Sequence, residues 1–301
     1  MIAVISHDAG GAEILSSWLC QNEQPYCLVL SGPATSIFQR KLHNNEIISL
    51  ERAIEMCDWV LCGTSWQSSL EKEAVIRAKA AQKKVITFLD HWVNYLGRFK
   101  LNGVITYPDE IWVGDLDAEK IAKQIFPELK ISLILNPYLN EIIREIELIE
   151  EIPHNSNICS VLYVCEPISE FSRLVYGDEN YLGYSENQAL EFFFNNVNML
   201  GCELSKLTIR PHPSENKSKY NWTKKLSPVE TVISSTKSLA EQISEADIVI
   251  GCESMAMVVA LWAKKRVISS IPIGGKTCQL PQDEIEHLQF LVNNNHGTLG
   301  D

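Results

Sequence analysis

Two carboxylates and a pair of glycines directly follow the first apolar run of the chain. The run "IAVIS" ends at Ser6, and the next residues, "HDAGGAE", contain Asp8, Gly10, Gly11 and Glu13. Either carboxylate could act as a general base toward a hydroxyl, with a pKa raised by partial burial. The glycines permit a positive φ and a close ligand approach, and a helix that begins here could bind an anion. The alternative is a tight turn in which Asp8 caps that helix.

A second candidate site is the stretch "LTIRPHPSE" at residues 207–215, where an apolar run ends in Arg210, His212 and Pro213. Proline fixes φ and ends regular structure, and the residue before a proline is pushed toward extended geometry. His212 is therefore expected on a stiff corner at the carboxyl end of a strand. Arg210 can bind a phosphate bidentately, and His212 can donate to a phosphate, a ribose or a base. The alternative is a structural proline-rich turn.

A third candidate lies in the same half of the chain, in "DIVIGCESMAMVVAL" at residues 247–261. Its apolar run ends at Gly251, and Glu253, Ser254 and Met255 open a helix. The first N–H groups of that helix and the Ser254 hydroxyl would form an anion cradle, unless Ser254 is only a helix cap. We expect this strand end and the one before His212 to converge on one phosphate.

Asp90 and His91 form a fourth candidate within "FLDHWVNYLGRF" at residues 88–99. Both follow an apolar run and precede aromatic side chains, which can cover the apolar faces of a sugar. This pattern predicts acceptor or sugar contact, and a purely structural histidine is the alternative.

Short apolar runs alternate with helical patterns along the whole chain, which is typical of parallel βαβ units. In the first half this predicts strands at 2–6, 26–32, 58–65, 85–92, 110–115 and 131–137 and helices at 12–22, 49–57, 69–84 and 117–126. In the second half it predicts strands at 158–167, 206–213, 229–235, 247–254 and 266–272 and helices at 185–200, 238–246, 255–265 and from 281 onward.

A polar, acidic stretch at residues 140–157 separates the two halves and is interpreted as a helix followed by a linker. We therefore predict two Rossmann-like domains, residues 1–150 on the acceptor side and residues 151–301 for nucleotide binding. The last 18 or so residues could pack back on the first domain. The carboxyl ends of both parallel sheets would line a central cleft, where ligands bind in such folds.

Composition narrows the functional classes. The 301 residues carry a net charge of −12, which argues against nucleic-acid binding. Nine cysteines without a CxxC pair indicate buried free thiols in a reducing cytosol. The N-terminus is too short and polar for a signal peptide, and no apolar run is long enough for a membrane span, so a cytoplasmic protein is expected.

No metal or other cofactor is expected, because neither an HExxH motif nor a Cys/His cluster is present. Asp115 and Asp117 have DxD spacing, but they precede a helix and are interpreted as helix-capping residues.

"RPHP" followed by "GCES" at a helix start resembles the C-terminal halves of GT-B glycosyltransferases. The likeness is greatest to bacterial capsule and lipopolysaccharide enzymes that use CMP-activated sugars (polysialyltransferase-like and Kdo-transferase-like) and to the related CDP-glycerol glycerophosphotransferases. This resemblance implies a GT-B-like α/β fold in which His212 and Pro213 contact the cytidine nucleotide and Ser254 binds its phosphate. It also implies an acidic base in the N-terminal glycine loop, a position that Asp8 or Glu13 matches.

These observations predict a metal-independent glycosyltransferase that moves a sugar from a nucleotide donor, with CMP-linked sugars first, to a hydroxyl acceptor in surface polysaccharide or glycan biosynthesis. Its partners would be a nucleotide sugar and a glycan or small-molecule acceptor, and a homodimer is left open. Two alternatives remain. One is a UDP-sugar 2-epimerase of the same architecture, and the other is a nucleotide-sugar-binding protein without catalytic activity.

Overall fold

The computed structural model describes residues 1–42, 46–149, 157–234 and 236–297. These residues fold as two compact units, Met1–Glu141 (unit 1) and Ile142–Asp301 (unit 2). The predicted linker at residues 150–156 lies outside the described residues. The expectation that the two sheets line one cleft stays a prediction.

Unit 1 is an alternation of strands and helices. Its strands are β1 (Ile2–Ser6), β2 (Tyr26–Leu30), β3 (Trp59–Cys62), β4 (Lys84–Leu89), β5 (Lys100–Leu101), β6 (Val104–Ile105), β7 (Glu110–Val113) and β8 (Lys130–Leu133). Its helices are α1 (Ala9–Gln21), α2 (Pro33–Lys41), α3 (Leu50–Met56), α4 (Leu70–Ala80) and α5 (Leu116–Ile125), and a 3₁₀ helix covers Leu96–Phe99. Helix α6 (Pro137–Leu148) begins in unit 1 and ends in unit 2.

Unit 2 repeats the alternation. Its strands are β9 (Ile158–Val164), β10 (Glu203–Arg210), β11 (Thr231–Ile233), β12 (Ile248–Gly251), β13 (Arg266–Ser269) and β14 (Glu286–His287). Its helices are α7 (Ile168–Tyr176), α8 (Glu186–Asn195), α9 (Thr223–Leu226), α10 (Leu239–Glu245), α11 (Met255–Trp262) and α12 (Leu288–Gly297), with 3₁₀ helices at Val197–Leu200 and Lys217–Tyr220.

Each unit contains a six-stranded sheet whose strand pairs are all parallel. The order is β2-β1-β3-β4-β7-β8 in unit 1 and β11-β10-β9-β12-β13-β14 in unit 2. The second order is the Rossmann order 3-2-1-4-5-6. Unit 1 would have the order 3-2-1-4-5-6-7 if the single parallel bridge from Leu28 to Ile47 were counted as an outermost strand. The predicted α/β fold with two parallel, Rossmann-like sheets is confirmed.

The strand order reverses at one position in each sheet, which we call the switch point. In unit 1 it lies between β1 and β3, and in unit 2 between β9 and β12. The connections on either side of a switch point leave in opposite directions, so the carboxyl ends of these two strands border a crevice, and ligands of open α/β sheets bind there.

Strands β1 and β12, which border the switch points, are buried on both faces, as expected for parallel sheets covered by helices. All five residues of β1 are buried, and the four residues of β12 are buried as well. Two core clusters anchor the sheets, one around Ile5 and Val60 in unit 1 and one around Tyr163 and Ile250 in unit 2.

Several elements differ from the sequence prediction. Helices α2 and α7, the hairpin β5–β6 and strand β14 were missed. The tail is helical only from Leu288 onward, since Glu286 and His287 extend the second sheet. The capping box of Ser185 and Gln188 at the start of α8 is confirmed. Asp115 is confirmed as the N-cap of α5, where its carboxylate accepts the Ala118 N–H.

The prediction of free cysteines throughout was wrong for one pair. Cys159 on β9 and Cys202 just before β10 form a disulfide, because these neighbouring strands bring their α-carbons to 5.9 Å. The other seven cysteines are free, and Cys20 is exposed rather than buried. Within the described residues, no helix combines the length and the apolar character that a membrane span requires.

Candidate functional site

His7 and Asp8 form a hydrogen-bonded pair at the switch point of unit 1. Nδ1 of His7 lies 2.7 Å from Oδ1 of Asp8, and both side chains are largely buried, at 18% and 13% exposure. Ionised Asp8 can only accept, so His7 donates through Nδ1 and, in its neutral form, presents Nε2 as a base. This hydrogen bond is the largest influence on the imidazole and raises the pKa of His7.

Residues that follow β3 fix the Asp8 carboxylate from the other side of the switch point. The Ser65 hydroxyl donates to Oδ1 at 2.7 Å and the Trp66 N–H donates to Oδ2 at 3.3 Å. Asp8 occupies the N-cap position of α1, but its side chain makes no capping hydrogen bond. Asp8 is therefore a helix cap by position only, because its carboxylate bonds to the histidine and to the neighbouring strand end.

Glu71 lies on the buried face of α4, and its carboxylate bonds to the residue that directly follows β1. Its Oε1 accepts the main-chain N–H of His7 at 2.6 Å, and the residue is only 3% exposed. Oε2 is buried and has no hydrogen-bond partner among the described residues. Burial, together with the nearby Asp8 charge, raises the pKa of Glu71 to about 7.

Glu13, the other predicted base, faces a different environment. It forms ion pairs with Arg40 and with Lys41, whose Nζ lies 2.9 Å from Oε2. The two ion pairs hold the Glu13 carboxylate between α1 and α2. The structure therefore places Glu13 in a structural network between α1 and α2, away from the His7–Asp8 pair.

Gly10 and Gly11 lie inside α1 and neither has a positive φ, so the backbone freedom that glycine permits is not used at these positions. The lack of a side chain at these two glycines allows α1 to pack closely against neighbouring residues. A Cβ on Gly10 would come within 2.5 Å of Oδ2 of Asp90, and one on Gly11 within 3.4 Å of the Gly63 Cα. The first turn of α1 therefore rests directly on the ends of β3 and β4.

Asp90 follows β4 and is held by a buried arginine. The Arg98 guanidinium donates to Oδ1 at 2.6 Å, and the Thr64 hydroxyl donates to the same oxygen at 2.8 Å. Arg98 and Asp90 are 7% and 10% exposed at their side chains. His91, the next residue, accepts the Trp92 N–H through Nδ1 at 3.0 Å. Asp90 thus lies at the same edge of the sheet as Asp8, at the carboxyl ends of the strands. The Nδ1 atom of His91 accepts a hydrogen bond from within its own loop.

A buried carboxylate also spans the switch point of unit 2. Glu166, the second residue after β9, accepts the N–H groups of Cys252 at 3.0 Å and Glu253 at 2.8 Å through one oxygen. Burial raises the pKa of Glu166 to about 8. Glu253 itself accepts the Gln279 N–H at 2.7 Å, and burial raises its pKa to about 6. The Glu166 carboxylate thus holds the loop that precedes α11 through two main-chain hydrogen bonds.

Ser254 is the N-cap of α11, and its hydroxyl oxygen accepts the Ala256 N–H at 3.2 Å. The capping interpretation is therefore confirmed, and the hydroxyl proton can still be donated. Met255 is the first residue of the helix and is half-buried. Gly251 must be glycine, because a Cβ there would lie 2.7 Å from a methyl group of Val164.

His212 opens a turn after β10, closed by a hydrogen bond from the Glu215 N–H to the His212 carbonyl at 2.9 Å. The Ser214 N–H donates to Nδ1 at 3.2 Å, so Nδ1 is an acceptor and the neutral ring carries its proton on Nε2. Pro213 follows at an exposed position in the same turn. The predicted stiff corner is thus a proline turn that fixes the histidine tautomer.

Arg210, at the end of β10, donates through Nη1 to the Lys237 carbonyl at 3.0 Å and to the Gln242 side chain. These bonds tie the guanidinium to the start of α10. The phosphate contact of Arg210 stays a prediction.

The two motifs that the sequence predicts to bind a nucleotide share one sheet edge. Strand β9 lies between β10 and β12, so the strand ends before His212 and Ser254 are roughly 10 Å apart at the usual strand spacing. Glu166 lies between them. Their convergence on a single phosphate stays a prediction.

Sequence reasoning missed three residues of these sites, His7, Glu71 and Glu166. His7 had a signal, since an imidazole next to an aspartate at a strand end is an acid–base arrangement. Glu71 also had one, because Ala74, Val75 and Ala78 follow it at helical spacing and place it on the buried face. Among the residues that the structure describes, no three or more His, Cys, Asp and Glu side chains form a metal-binding group.

No family model matches the sequence, and no curated protein does either. Solved structures do match. The complex of S. aureus MnaA with UDP has a TM-score of 0.60 at 12% identity and covers 100% of this chain and 88% of that one. The UDP-GlcNAc 2-epimerase of Neisseria meningitidis bound to UDP-GlcNAc has a TM-score of 0.57 at 10% identity and covers 99% and 91%. The chain has a GT-B-like fold.

A third structure is more distant. The α/β-galactoside α-2,3-sialyltransferase of Photobacterium phosphoreum has a TM-score of 0.47 at 8% identity and covers 96% of this chain and 98% of that one. A TM-score below 0.5 supports no conclusion about fold or function. At 12% and 10% identity, the likeness to the two higher-scoring structures shows the fold alone.

Proposed function

We propose that the chain is a GT-B-type glycosyltransferase that moves a sugar from a nucleotide to a hydroxyl acceptor. One observation carries this proposal, the His7–Asp8 pair at the switch point of unit 1, with Nδ1 and Oδ1 2.7 Å apart and the carboxylate fixed by Ser65. An imidazole oriented by a buried carboxylate is the usual form of a general base.

His7 would act as the base and Asp8 would act through it. Nε2 takes the proton of the acceptor hydroxyl while the hydroxyl oxygen attacks the anomeric carbon and the bond to the nucleotide phosphate breaks. The Asp8 carboxylate stabilises the imidazolium that forms. Glu13 is a weaker candidate, because Arg40 and Lys41 already neutralise it.

Unit 2 would bind the donor. The Nε2–H of His212, the Ser254 hydroxyl and the first N–H groups of α11 are donors that suit a phosphate, and they would stabilise the leaving nucleotide without a metal ion. The likeness of "RPHP" and "GCES" to CMP-sugar enzymes makes a CMP-linked sugar the first candidate donor. Glu253, Met255, Arg210 and Pro213 remain proposed donor contacts, and Gly10, Gly11, Asp90 and His91 remain proposed acceptor or sugar contacts.

The test is a donor panel. The full chain is incubated with CMP-, UDP- and GDP-linked sugars, with and without hydroxyl acceptors, and nucleotide release is measured for the wild type and Asp8→Asn. We expect acceptor-dependent release that Asp8→Asn reduces about 100-fold or more. Release that Asp8→Asn does not change would contradict the proposed base.

A UDP-sugar 2-epimerase is the second candidate. The whole-chain likeness to MnaA bound to UDP and to the Neisseria epimerase bound to UDP-GlcNAc favours it. An epimerase needs acid–base groups around C2 of the sugar, and Asp90 and His7 are available at the edge of unit 1. The same panel separates the candidates, because an epimerase converts the nucleotide sugar with no acceptor present.

Nucleotide binding without any turnover would favour the third alternative, a nucleotide-sugar-binding protein. The acceptor class, a role in surface polysaccharide or glycan biosynthesis, a cytoplasmic location and a homodimer are parts of the proposal that rest on the sequence alone.

A further inference from the structure

The His7–Asp8 pair has a second carboxyl group beneath it that the proposed reaction does not use. Glu71 Oε1 accepts the main-chain N–H of His7 at 2.6 Å, while Asp8 accepts from the side chain of the same histidine at 2.7 Å. The histidine is thus held through its backbone and its ring by two different acids.

We propose that Glu71 is a positioning residue that holds the His7–Asp8 pair and controls the charge of the His7 imidazole through its own protonation. This inference rests on the proposed role of His7 as the base, which it deepens. Glu71 is 3% exposed, and its second oxygen is buried without a partner in the described part of the chain. A buried oxygen without a donor is better accommodated as a neutral acid than as half of a carboxylate.

Four neighbouring groups act on this carboxyl or respond to it. His7 and Asp8 face it from the loop after β1, Cys62 from β3, and Lys72 follows it on α4. Asp8 opposes the ionisation of Glu71, whereas His7 favours it. The charge of Glu71 in turn favours the protonated imidazole.

The consequence is a coupled titration. Below neutral pH Glu71 is a neutral acid, and His7 responds mainly to Asp8. As the pH rises through about 7, Glu71 ionises and adds a second negative charge beside the imidazole. The extra charge keeps His7 protonated to a higher pH and delays the appearance of the free base. Activity that depends on the unprotonated His7 ring would therefore rise over a wider pH range than the titration curve of one isolated histidine.

The first experiment needs no variant. Carbon-detected NMR follows the glutamate carboxyl groups of the full-length chain against pH. We expect the Glu71 resonance to titrate near pH 7. A midpoint close to the ordinary glutamate value of about 4.3 would overturn the proposal.

The second experiment follows the His7 ring by NMR in the wild type, Glu71→Gln and Glu73→Gln. Glutamine keeps the oxygen that accepts the His7 N–H and removes the charge. Glu73 is the matched control, because it lies two residues further along α4 with its side chain 41% exposed. The His7 signal is assigned by its absence in His7→Gln.

We expect Glu71→Gln to lower the midpoint of the His7 titration by roughly half a pH unit or more, and Glu73→Gln to leave it within about 0.1 of the wild type. Equal midpoints in the wild type and Glu71→Gln would overturn the inference. Neither readout requires turnover, so a chain without transferase activity could still show the coupling. In that case the proposed function fails and the inference about Glu71 stands.

Discussion

Both sheets are parallel and reverse their strand order at one switch point, and in each a carboxylate crosses that point to bind the neighbouring strand end. In unit 1, Asp8 after β1 accepts from Ser65 and Trp66 after β3. In unit 2, Glu166 after β9 accepts from Cys252 and Glu253 after β12. The same position in the fold therefore holds the same kind of link, although the sequences around it are unrelated.

The two sheet edges differ in the polar groups that lie beside the carboxylate. Asp8 also orients an imidazole, so the edge of unit 1 offers an acid–base group. Glu166 binds only main-chain N–H groups among its described hydrogen bonds, and the polar residues beside it are a helix cap, Ser254, and a histidine in a proline turn, His212. We interpret the first edge as suited to proton transfer and the second as suited to anion binding.

The comparison predicts its largest effect at His7. His7→Gln should lower turnover by about 10²- to 10⁴-fold, the usual contribution of a general base, and leave nucleotide affinity within about twofold. Steady-state kinetics and calorimetry measure the two quantities. Glu73→Gln is the control, because this exposed side chain on α4 has no proposed role in the site, and it should retain most of the activity. An equal loss in both variants would refute a special role of His7.

A smaller effect is expected on stability, at the two buried acids. The pKa of Glu71 is raised in the folded state, so its contribution is most favourable at low pH and is lost as the pH rises from about 4.5 through about 7. Between pH 5 and pH 8, Glu71→Gln should gain up to about 3 kcal/mol of unfolding free energy relative to the wild type.

Glu166→Gln should show the same direction with its change extending to about pH 8, because the pKa of Glu166 is higher. Urea unfolding at several pH values measures both differences, with Glu73→Gln as the control. Parallel pH profiles of the wild type and both variants would show that neither acid is buried in its neutral form.

The smallest effect concerns Gly32, which precedes α2 and has a φ of +54°. A Cβ there would lie 2.5 Å from Nε2 of His7, whereas a Cβ on Gly103, with a φ of +83°, would meet nothing within 4 Å. Gly32→Ala and Gly103→Ala should each destabilise the chain by about 1–3 kcal/mol through backbone strain.

Only Gly32→Ala should also change the His7 titration, because only that methyl group contacts the ring. NMR on both variants tests the difference. An unchanged His7 signal in a folded Gly32→Ala would show that the ring is not held against this turn.

Much of the fold could be predicted from the sequence, since buried parallel strands appear as continuous apolar runs. "IAVIS" and "DIVIG" were recognised for this reason, and so was the capping box of Ser185. The hairpin β5–β6 was missed although Asn102 and Gly103 carry its signal. Both have positive φ, as the turn between two short strands requires.

The candidate sites could be predicted only in part, because a sequence does not show which polar groups meet. Asp8, Asp90 and Ser254 were placed at the correct strand ends. The neutralisation of Glu13 by Arg40 and Lys41 depends on how α1 packs against α2, and no local pattern reveals that packing.

We propose that the edge of unit 2 binds a nucleotide and that His7, at the edge of unit 1, accepts the proton of the acceptor hydroxyl. Calorimetry with CMP, CDP, UDP and GDP on the wild type, His212→Ala and His7→Gln tests it most directly. We predict that one nucleotide binds, that His212→Ala weakens it about 10-fold or more, the effect of losing one hydrogen bond to a charged group, and that His7→Gln does not. Binding that is absent, or that His212→Ala leaves unchanged, would contradict the account.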